Sequence, residues 1–350
     1  MSTWTTIPEV ELDSPALKGT AAAAPPKPPA CRPADPYRDL IQVWVSELLA
    51  PKYHASRRQR LSGFLLGTFT QHRSTPLRSP RWYRTTEPPD PAPKVSIVTP
   101  SFNQGVFLER TILSVLEQSY PNIEYVVQDG GSRDESVEIL SAYGDRLSSW
   151  ESRPDDGQGD AVNIGFERTT GEIMAYLNSD DVLLPGSLAY VAKFFQEHPE
   201  VDVVYGHRVV LDAYDGEIGR WVLPPHDDDV LRWADYVPQE TMFWRRRLWR
   251  AVGGIDPSFP FALDWDLLVR FQEVGARFAR LPRFLGGFRF HSSQKSLLQL
   301  ATVGARDCQR ILKRCHGRYV TCVEIHRAIR GYLLRAAAWH QMYRCGLLPH

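Results

Sequence analysis

The chain has 350 residues, 43% hydrophobic and 23% charged, the composition of an ordinary soluble protein with room for one large domain plus extensions or for two modest domains. The formal net charge is zero but segregated: residues 36–84 carry nine Lys/Arg against two acids, residues 85–292 nineteen against thirty-three, and residues 293–350 ten against two. An acidic centre between basic flanks argues against a nucleic-acid-binding core, because it repels phosphate, and a nucleotide held there would need a metal ion. No run reaches the roughly 18 apolar residues of a membrane span, and the N-terminus lacks a basic stretch followed by an apolar core, so a cytoplasmic location is expected.

Residues 1–35, rich in Pro, Ala and Thr, cannot bury a core and read as a disordered tail. From Pro36 to about Ser74 the apolar spacing is helical, around the basic run Arg57-Arg58-Gln59-Arg60. Such a segment either lies on an anionic membrane surface or packs as a helical hairpin on the main domain or a second subunit. The Pro-rich stretch 85–93 is a stiff linker and closes a basic helical region spanning 36–93.

Beyond it the pattern alternates. Val95–Pro100 reads as a buried strand, Val106–Gln118 as an amphipathic helix, and Ile123–Asp129 as the next strand, followed by Gly130-Gly131 and a helix through Tyr143. A short strand near Ser148–Ser152, a helix near Gly159–Arg168 and a strand from Ile173 to Leu177 come next. That last strand stops against Asp180 and Asp181, ahead of a helix beginning at Pro185. Strand character returns from Val201 to about Leu223, at Thr241–Trp244 and at Phe284–Phe290, with helices at Arg246–Val252 and at Phe261–Arg270. From Ser296 onward the chain is helical and cationic. Short loops between alternating strands and helices indicate a mainly parallel sheet covered on both faces.

Five cysteines, at 31, 308, 315, 322 and 345, form no close pair of the kind expected for zinc or disulfides. The sevenfold spacing of Cys308, Cys315 and Cys322 puts them on one helix face as small packing residues. The acid run Asp227–Asp229 reads as a helix cap on a solvated surface. Four other polar signals sit at strand ends or helix starts: Asp129, Asp180 with Asp181, Asp264 with Asp266, and His291. Each alone could be a turn residue, a cap or a satisfied polar group. Together they recur along the edge where an open α/β sheet binds ligands, and paired carboxylates there suit a divalent cation and a phosphate-bearing ligand. The marks of a P-loop, of a dinucleotide fold and of a hydrolase nucleophile elbow are all missing.

The stretches Val95–Gly105, Asp129-Gly-Gly-Ser-Arg-Asp134, Asp156–Asn163, Leu177-Asn-Ser-Asp-Asp181 and Ala262–Leu267 resemble the successive motifs of family 2 glycosyltransferases with the GT-A fold. The resemblance covers about 94–292 and implies a Rossmann-like α/β domain, with helical extensions at 36–93 and 293–350. It implies further that Thr99 and Ser101 line a nucleotide pocket, with Asp129 on the uracil N3–H and Asp156 nearby if the donor is a UDP-sugar. Asn178 would stand near the ribose or metal. Asp180 would ligate Mg2+ or Mn2+, and His291 with Lys295 would close over the metal or diphosphate. Asp264 would be the general base that deprotonates an acceptor hydroxyl, attacking C1 with inversion, while Gln239 and Asp266 would face the acceptor.

Two departures from the family pattern refine this. Its D-x-D begins here with Asn178, which implies a loosely held cation, and the Glu that often precedes the base is Leu263. No Q-x-x-R-W follows, so transfer of a single sugar is expected. The alternatives are a sugar nucleotidyltransferase, which would need a Gly-rich basic loop after the first strand, and a silent scaffold that retains the fold. The expected partners are a nucleotide sugar and a hydroxyl acceptor, not nucleic acid. Segments 36–84 and 293–350 could touch a membrane or form a homodimer.

Overall fold

A computed structural model describes residues 68–348. The tail 1–35, Cys31 and the helical patterning of 36–67 lie outside the described residues.

Apolar runs become strands and amphipathic runs become helices largely where their periods indicate. β1 (Thr75–Pro76) is a two-residue edge strand. β2 (Val95–Ser101) is buried throughout and runs on through Pro100. α1 (Gly105–Leu116) buries Phe107, Leu108, Ile112 and Val115, spaced to share one face. Then come β3 (Ile123–Asp129), α2 (Ser136–Tyr143), β4 (Ser149–Ser152), α3 (Gln158–Glu167) and β5 (Ile173–Tyr176). The second half holds β6 (Val182–Leu183), α4 (Ser187–Glu197), β7 (Val203–Leu211) and β8 (Gly216–Trp221). It continues with β9 (Phe243–Arg245), α5 (Arg246–Val252), α6 (Leu263–Glu273) and β10 (Phe278–Arg289). α7 (Lys295–Gln299) passes through a wide turn at Leu300–Gly304 into α8 (Ala305–His316), and α9 (Cys322–Arg344) follows.

The strand order is β1-β8-β7-β9-β5-β2-β3-β4, with β10 beside β7 and β6. β5, β2, β3 and β4 are mutually parallel, and their register aligns Ser101 with Asp129 and Asp129 with Ser152. Three strand ends therefore share one carboxyl edge, where such sheets bind ligands. The other half is mixed: β10 lies parallel to β7, whereas β8 and β9 run antiparallel to it.

Alternation along the central strands divides the core. Ile97, Val127 and Ala175 pack with Leu108, Ile112, Leu188 and Phe195 on one face. Val98, Val126, Met174 and Tyr176 pack on the other with Phe166, Trp244, Leu267 and Phe271, joined by Ile311, Leu312 and Ile325 from the last two helices. Fully burying a Leu or Ile contributes about 1.5–3 kcal/mol, so α8 and α9 share a core with the sheet. Among the described residues no helix is long and apolar enough to cross a membrane.

Three local features differ from the sequence reading. Residues 68–74 are not helical: Gln71 and His72 donate to the Ile218 carbonyl, and β1 pairs with β8, so this segment satisfies its backbone on the open edge of the sheet. The last strand begins at Phe278 rather than Phe284, in a stretch whose Arg280, Pro282 and Arg283 do not read as a strand. Irregular register between Arg280 and Gly286 absorbs the proline, and the buried Arg283 guanidinium lies 4.0 Å from the Tyr83 ring centre and donates to the Tyr83 and Pro185 carbonyls. Third, the helix carrying Cys308 and Cys315 ends at Gly317, and Cys322 opens the next one. Asp227 does cap the short turn Asp228–Leu231 by accepting from the Val230 amide at 3.1 Å.

Candidate active site

Two loops leaving the parallel edge brace one another. The Asn103 amide donates to Ser132 Oγ at 2.7 Å, the Arg133 amide to Asn103 Oδ1 at 2.9 Å, and the Gly105 amide to Asp134 Oδ2 at 2.9 Å. Asp129 is fully buried behind them. Its carboxylate accepts from the Gly131 and Ser132 amides and from the Ser132 and Ser152 hydroxyls, at 2.6–3.2 Å. These contacts hold the β2, β3 and β4 ends in register and leave a rigid rim.

Beside that rim opens a cavity of about 790 Å³, within the usual size of a ligand site. Ser101, Asn178, Asp180, Gln239, Asp264 and Lys295 all line it. Thr99, Asp129, Asp156, Asp266 and His291 are not part of its wall. Thr99 shares a hydrogen bond with the Tyr125 hydroxyl at 3.0 Å inside the core. Asp156 is exposed, and its neighbour Asp155 faces the cavity. Burial pushes the Asp155 carboxyl above its ordinary value, against the Gly157 amide that donates to it. Gly157 has φ +102°, which L side chains rarely adopt, and starts α3 at the cavity wall. Asp266, wholly buried, pairs with Arg270 at 2.7 Å and Arg314 at 2.8 Å and so ties α6 to α8.

A chain of hydrogen bonds spans the cavity floor. Lys295 Nζ donates to Gln158 Oε1 (2.9 Å), Gln158 Nε2 to Asn178 Oδ1 (2.7 Å), Asn178 Nδ2 to Gln239 Oε1 (3.0 Å), and Gln239 Nε2 to the Tyr176 carbonyl (2.7 Å). An ammonium can only donate and a carbonyl can only accept, so both ends fix the direction of every amide between them. Asn178 is thereby held with its oxygen already engaged. Burial holds the Lys295 ammonium below its usual range, with the Asp264 charge opposing.

The turn after β5 is held from several sides. Thr111 Oγ1 donates to the Ser179 and Asp181 carbonyls, and the Arg289 amide donates to Asp181 Oδ1 at 2.9 Å. Asp181 is buried; burial first, then the charges of Asp180 and Glu240, push its carboxyl well above the ordinary value. Asp180 Oδ2 lies 3.1 Å from His291 Nε2, while His291 Nδ1 meets Ser293 Oγ at 2.8 Å. Among the described residues no group of three His, Cys, Asp or Glu side chains is placed to hold a metal. One carboxylate oxygen and one imidazole nitrogen at this distance would suit a divalent cation in an open site rather than a closed protein cage.

Asp264 sits in the first turn of α6, its Oδ1 accepting from the Trp265 amide at 2.9 Å. Burial raises its carboxyl above the ordinary value, and Arg208 and Lys295 oppose that. The sequence reading missed the groups around it. Asp235 lines the same wall, with a buried Oδ1 that has no protein partner; burial and then the Asp264 charge push its carboxyl well above the ordinary value. Arg208 and Glu240, both buried, form a two-pronged pair at 2.7 and 2.6 Å. Gly286 lets β10 pass this pair, since a Cβ there would lie 2.6 Å from the Glu240 carbonyl oxygen. Phe69, from the segment ahead of β1, stacks on Trp221 and Phe288 at 5.1 and 5.2 Å. Arg208 inside an apolar strand was a readable sign of a buried partner. Asp155 beside Asp156, and Asp235 within Trp-Ala-Asp-Tyr, offered no comparable signal.

The parallel edge, the acid-bearing turn and the carboxylate at the head of α6 define a GT-A fold. Residues 96–253 match the model of Glycosyl transferase family 2. A PGL/p-HBAD biosynthesis glycosyltransferase of Mycobacterium bovis is 32% identical over 184 residues, 51% of this chain and 70% of the relative. The chain belongs to glycosyltransferase family 2 and is a glycosyltransferase. Among solved structures, a mannosyltransferase from Pyrobaculum calidifontis in complex with GDP-Man and Mn2+ superposes with TM-score 0.52 at 16% identity, covering 90% of this chain and 87% of that one. Residues 1–349 of Staphylococcus aureus TarS in complex with UDP give TM-score 0.50 at 16% identity, covering 72% and 92%; of a longer TarS chain this protein spans 43%.

Proposed function

We propose that the protein is a metal-dependent, inverting transferase that moves one sugar from a nucleotide-diphosphate sugar, a UDP-sugar in the first instance, to an acceptor hydroxyl in polysaccharide or glycoconjugate synthesis. The observation that carries this reading is the single cavity in which Ser101, Asp155, Asn178, Asp180 and Lys295 meet Asp264. Ser101 Oγ is buried without a protein partner, so a ligand group there would satisfy it. In this reading Ser101 and Asp155 receive the nucleoside, with Asp129 acting from behind to hold the loop that presents them. Neighbours of the same fold hold UDP in one case and GDP-Man with Mn2+ in another, which supports a nucleotide-sugar donor.

Asp180 and His291 would hold the cation, Mg2+ or Mn2+, which when bound neutralises charge on the departing nucleotide. Lys295, anchored through Gln158, adds a positive charge at the same wall. Asp264 is the general base, taking the proton from the acceptor hydroxyl as its oxygen attacks C1 from the face opposite the nucleotide. Its raised carboxyl is a better proton acceptor than an ordinary aspartate and remains ionised once the pH exceeds that raised value. Gln239, fixed by Tyr176 and Asn178, orients the groups between donor and acceptor.

The test is a panel of nucleotide sugars assayed for release of nucleoside diphosphate, with and without EDTA, alongside thermal shifts with UDP and Mn2+. Ligand at 100 times its Kd should stabilise the fold by about 2.7 kcal/mol. Absence of any shift with UDP, GDP or dTDP would remove the donor reading, and EDTA-insensitive turnover would remove the metal.

A further inference from the structure

The cavity wall is chemically divided. On the side of β2, β3 and the start of α3, Ser101, Gln104, Asp155 and Gln158 stand among Pro100, Phe102 and Ala161. On the Asp264 side, Trp233 and Phe261 meet four aliphatic residues, Leu298, Leu300, Leu312 and Ile325. Leu312 and Ile325 are buried, whereas Leu298 is 66% exposed, so apolar surface runs from the interior of the cavity outward. The polar side chains on this side besides Asp264 include Asp235, Gln294, Lys295 and Gln299; Gln294 is spent on the His291 amide and the Arg289 carbonyl, and Lys295 on Gln158. The Trp265 indole N–H is consumed by the Leu231 carbonyl at 2.7 Å, and burial pushes the Cys308 thiol up to about 12, leaving it neutral.

A saccharide brings hydroxyl groups on every side, and each one buried without a partner costs free energy. Trp233 and Phe261 alone would suit the flat face of a sugar. Four aliphatic side chains offer it no hydrogen bond.

We propose that this chamber holds the apolar body of the acceptor, a hydrocarbon chain or ring, with the hydroxyl that it carries presented to Asp264. This rests on the transferase reading above and adds to it the chemical class of the acceptor. The chamber is continuous with the donor pocket, so the acceptor enters along Leu298 and stops where the wall turns acidic, at Asp235 and Asp264. The unpartnered Asp235 Oδ1 receives a hydrogen bond from the acceptor end.

The test uses the full chain and two probe series read by tryptophan fluorescence, since Trp221, Trp233 and Trp265 all line the cavity. n-Alkyl glucosides from ethyl to octyl report on a chain, and 4-alkylphenols report on a ring. Affinity should rise about fourfold per methylene until the chamber is full. Ala305→Phe, which fills the same wall from the start of α8, should abolish that rise and leave the thermal shift with UDP and Mn2+ intact; should that variant not fold, Cys308→Leu serves the same purpose. Equal binding of ethyl and octyl glucoside by the unaltered protein overturns the proposal, as does an unchanged rise in the filled variant. A missing response to UDP, Mn2+ and the other nucleotides falsifies the donor reading instead, so the two failures are distinct.

Discussion

The two halves of the sheet solve different problems. In the parallel half, β4, β3, β2 and β5 deliver their ends to a single edge, and loops of a few residues brace one another by short hydrogen bonds about the buried Asp129. In the mixed half the wall is assembled from segments far apart in sequence: Phe69, Arg208, Trp221, Glu240, Asp264, and Leu312 with Ile325. The first half is local, polar and self-contained. The second is apolar, distant in sequence and held partly by a buried ion pair. In the proposed reaction the first half receives the donor and the second half the acceptor.

The largest effect should come from Asp264, the base in the proposed reaction. Asp264→Asn preserves shape but removes the base, so kcat should fall by about 10³-fold with nucleotide binding unchanged, as measured by single-turnover kinetics and thermal shift. Near-normal turnover in a folded variant would transfer the base role elsewhere and weaken the division between halves. Next is Glu240→Gln, which leaves Arg208 buried without its countercharge. A loss of about 3–5 kcal/mol in denaturant unfolding is expected, because breaking a buried pair leaves an uncompensated charge. The equivalent cut on the donor side is milder. Asp180→Asn should lower the apparent Mn2+ affinity by about 100-fold, read from the metal dependence of nucleoside diphosphate release, with little change in stability.

The contrast between halves also explains what could be read beforehand. Asp129 and Asp180 follow strands, and Asp264 heads a helix, that hydrophobic periodicity locates well, so these element boundaries were legible in the sequence. The individual partners of these acids were not. Whether Asp155 or Asp156 faces the cavity depends on one turn at Gly157, and Asp266 lies only two residues from Asp264 yet is spent on Arg270 and Arg314. Asp235 and Phe69 reach the site through tertiary packing alone; no local pattern marks them. The irregular start of β10 was hidden for a related reason, since Arg283 is buried only because Tyr83 and Tyr190 arrive from elsewhere to cover it.

The smallest expected effect probes how far the apolar half sets the chemistry of its acids. A general base works only when ionised, and burial raises the Asp264 carboxyl, so the acid limb of kcat/KM should lie above the value near 4 of an ordinary aspartate. Rate should fall as the pH drops through that limb and level off above it. Asp235 lies on the same wall and feels the Asp264 charge. In Asp235→Asn no second carboxylate opposes ionisation of Asp264, so the limb should move to lower pH. The movement should be modest, because burial favours the neutral form of Asp235 and a neutral carboxyl repels nothing. An unmoved limb would mean that desolvation alone tunes the base, whereas a large movement would mean that the two acids share a proton across the acceptor wall.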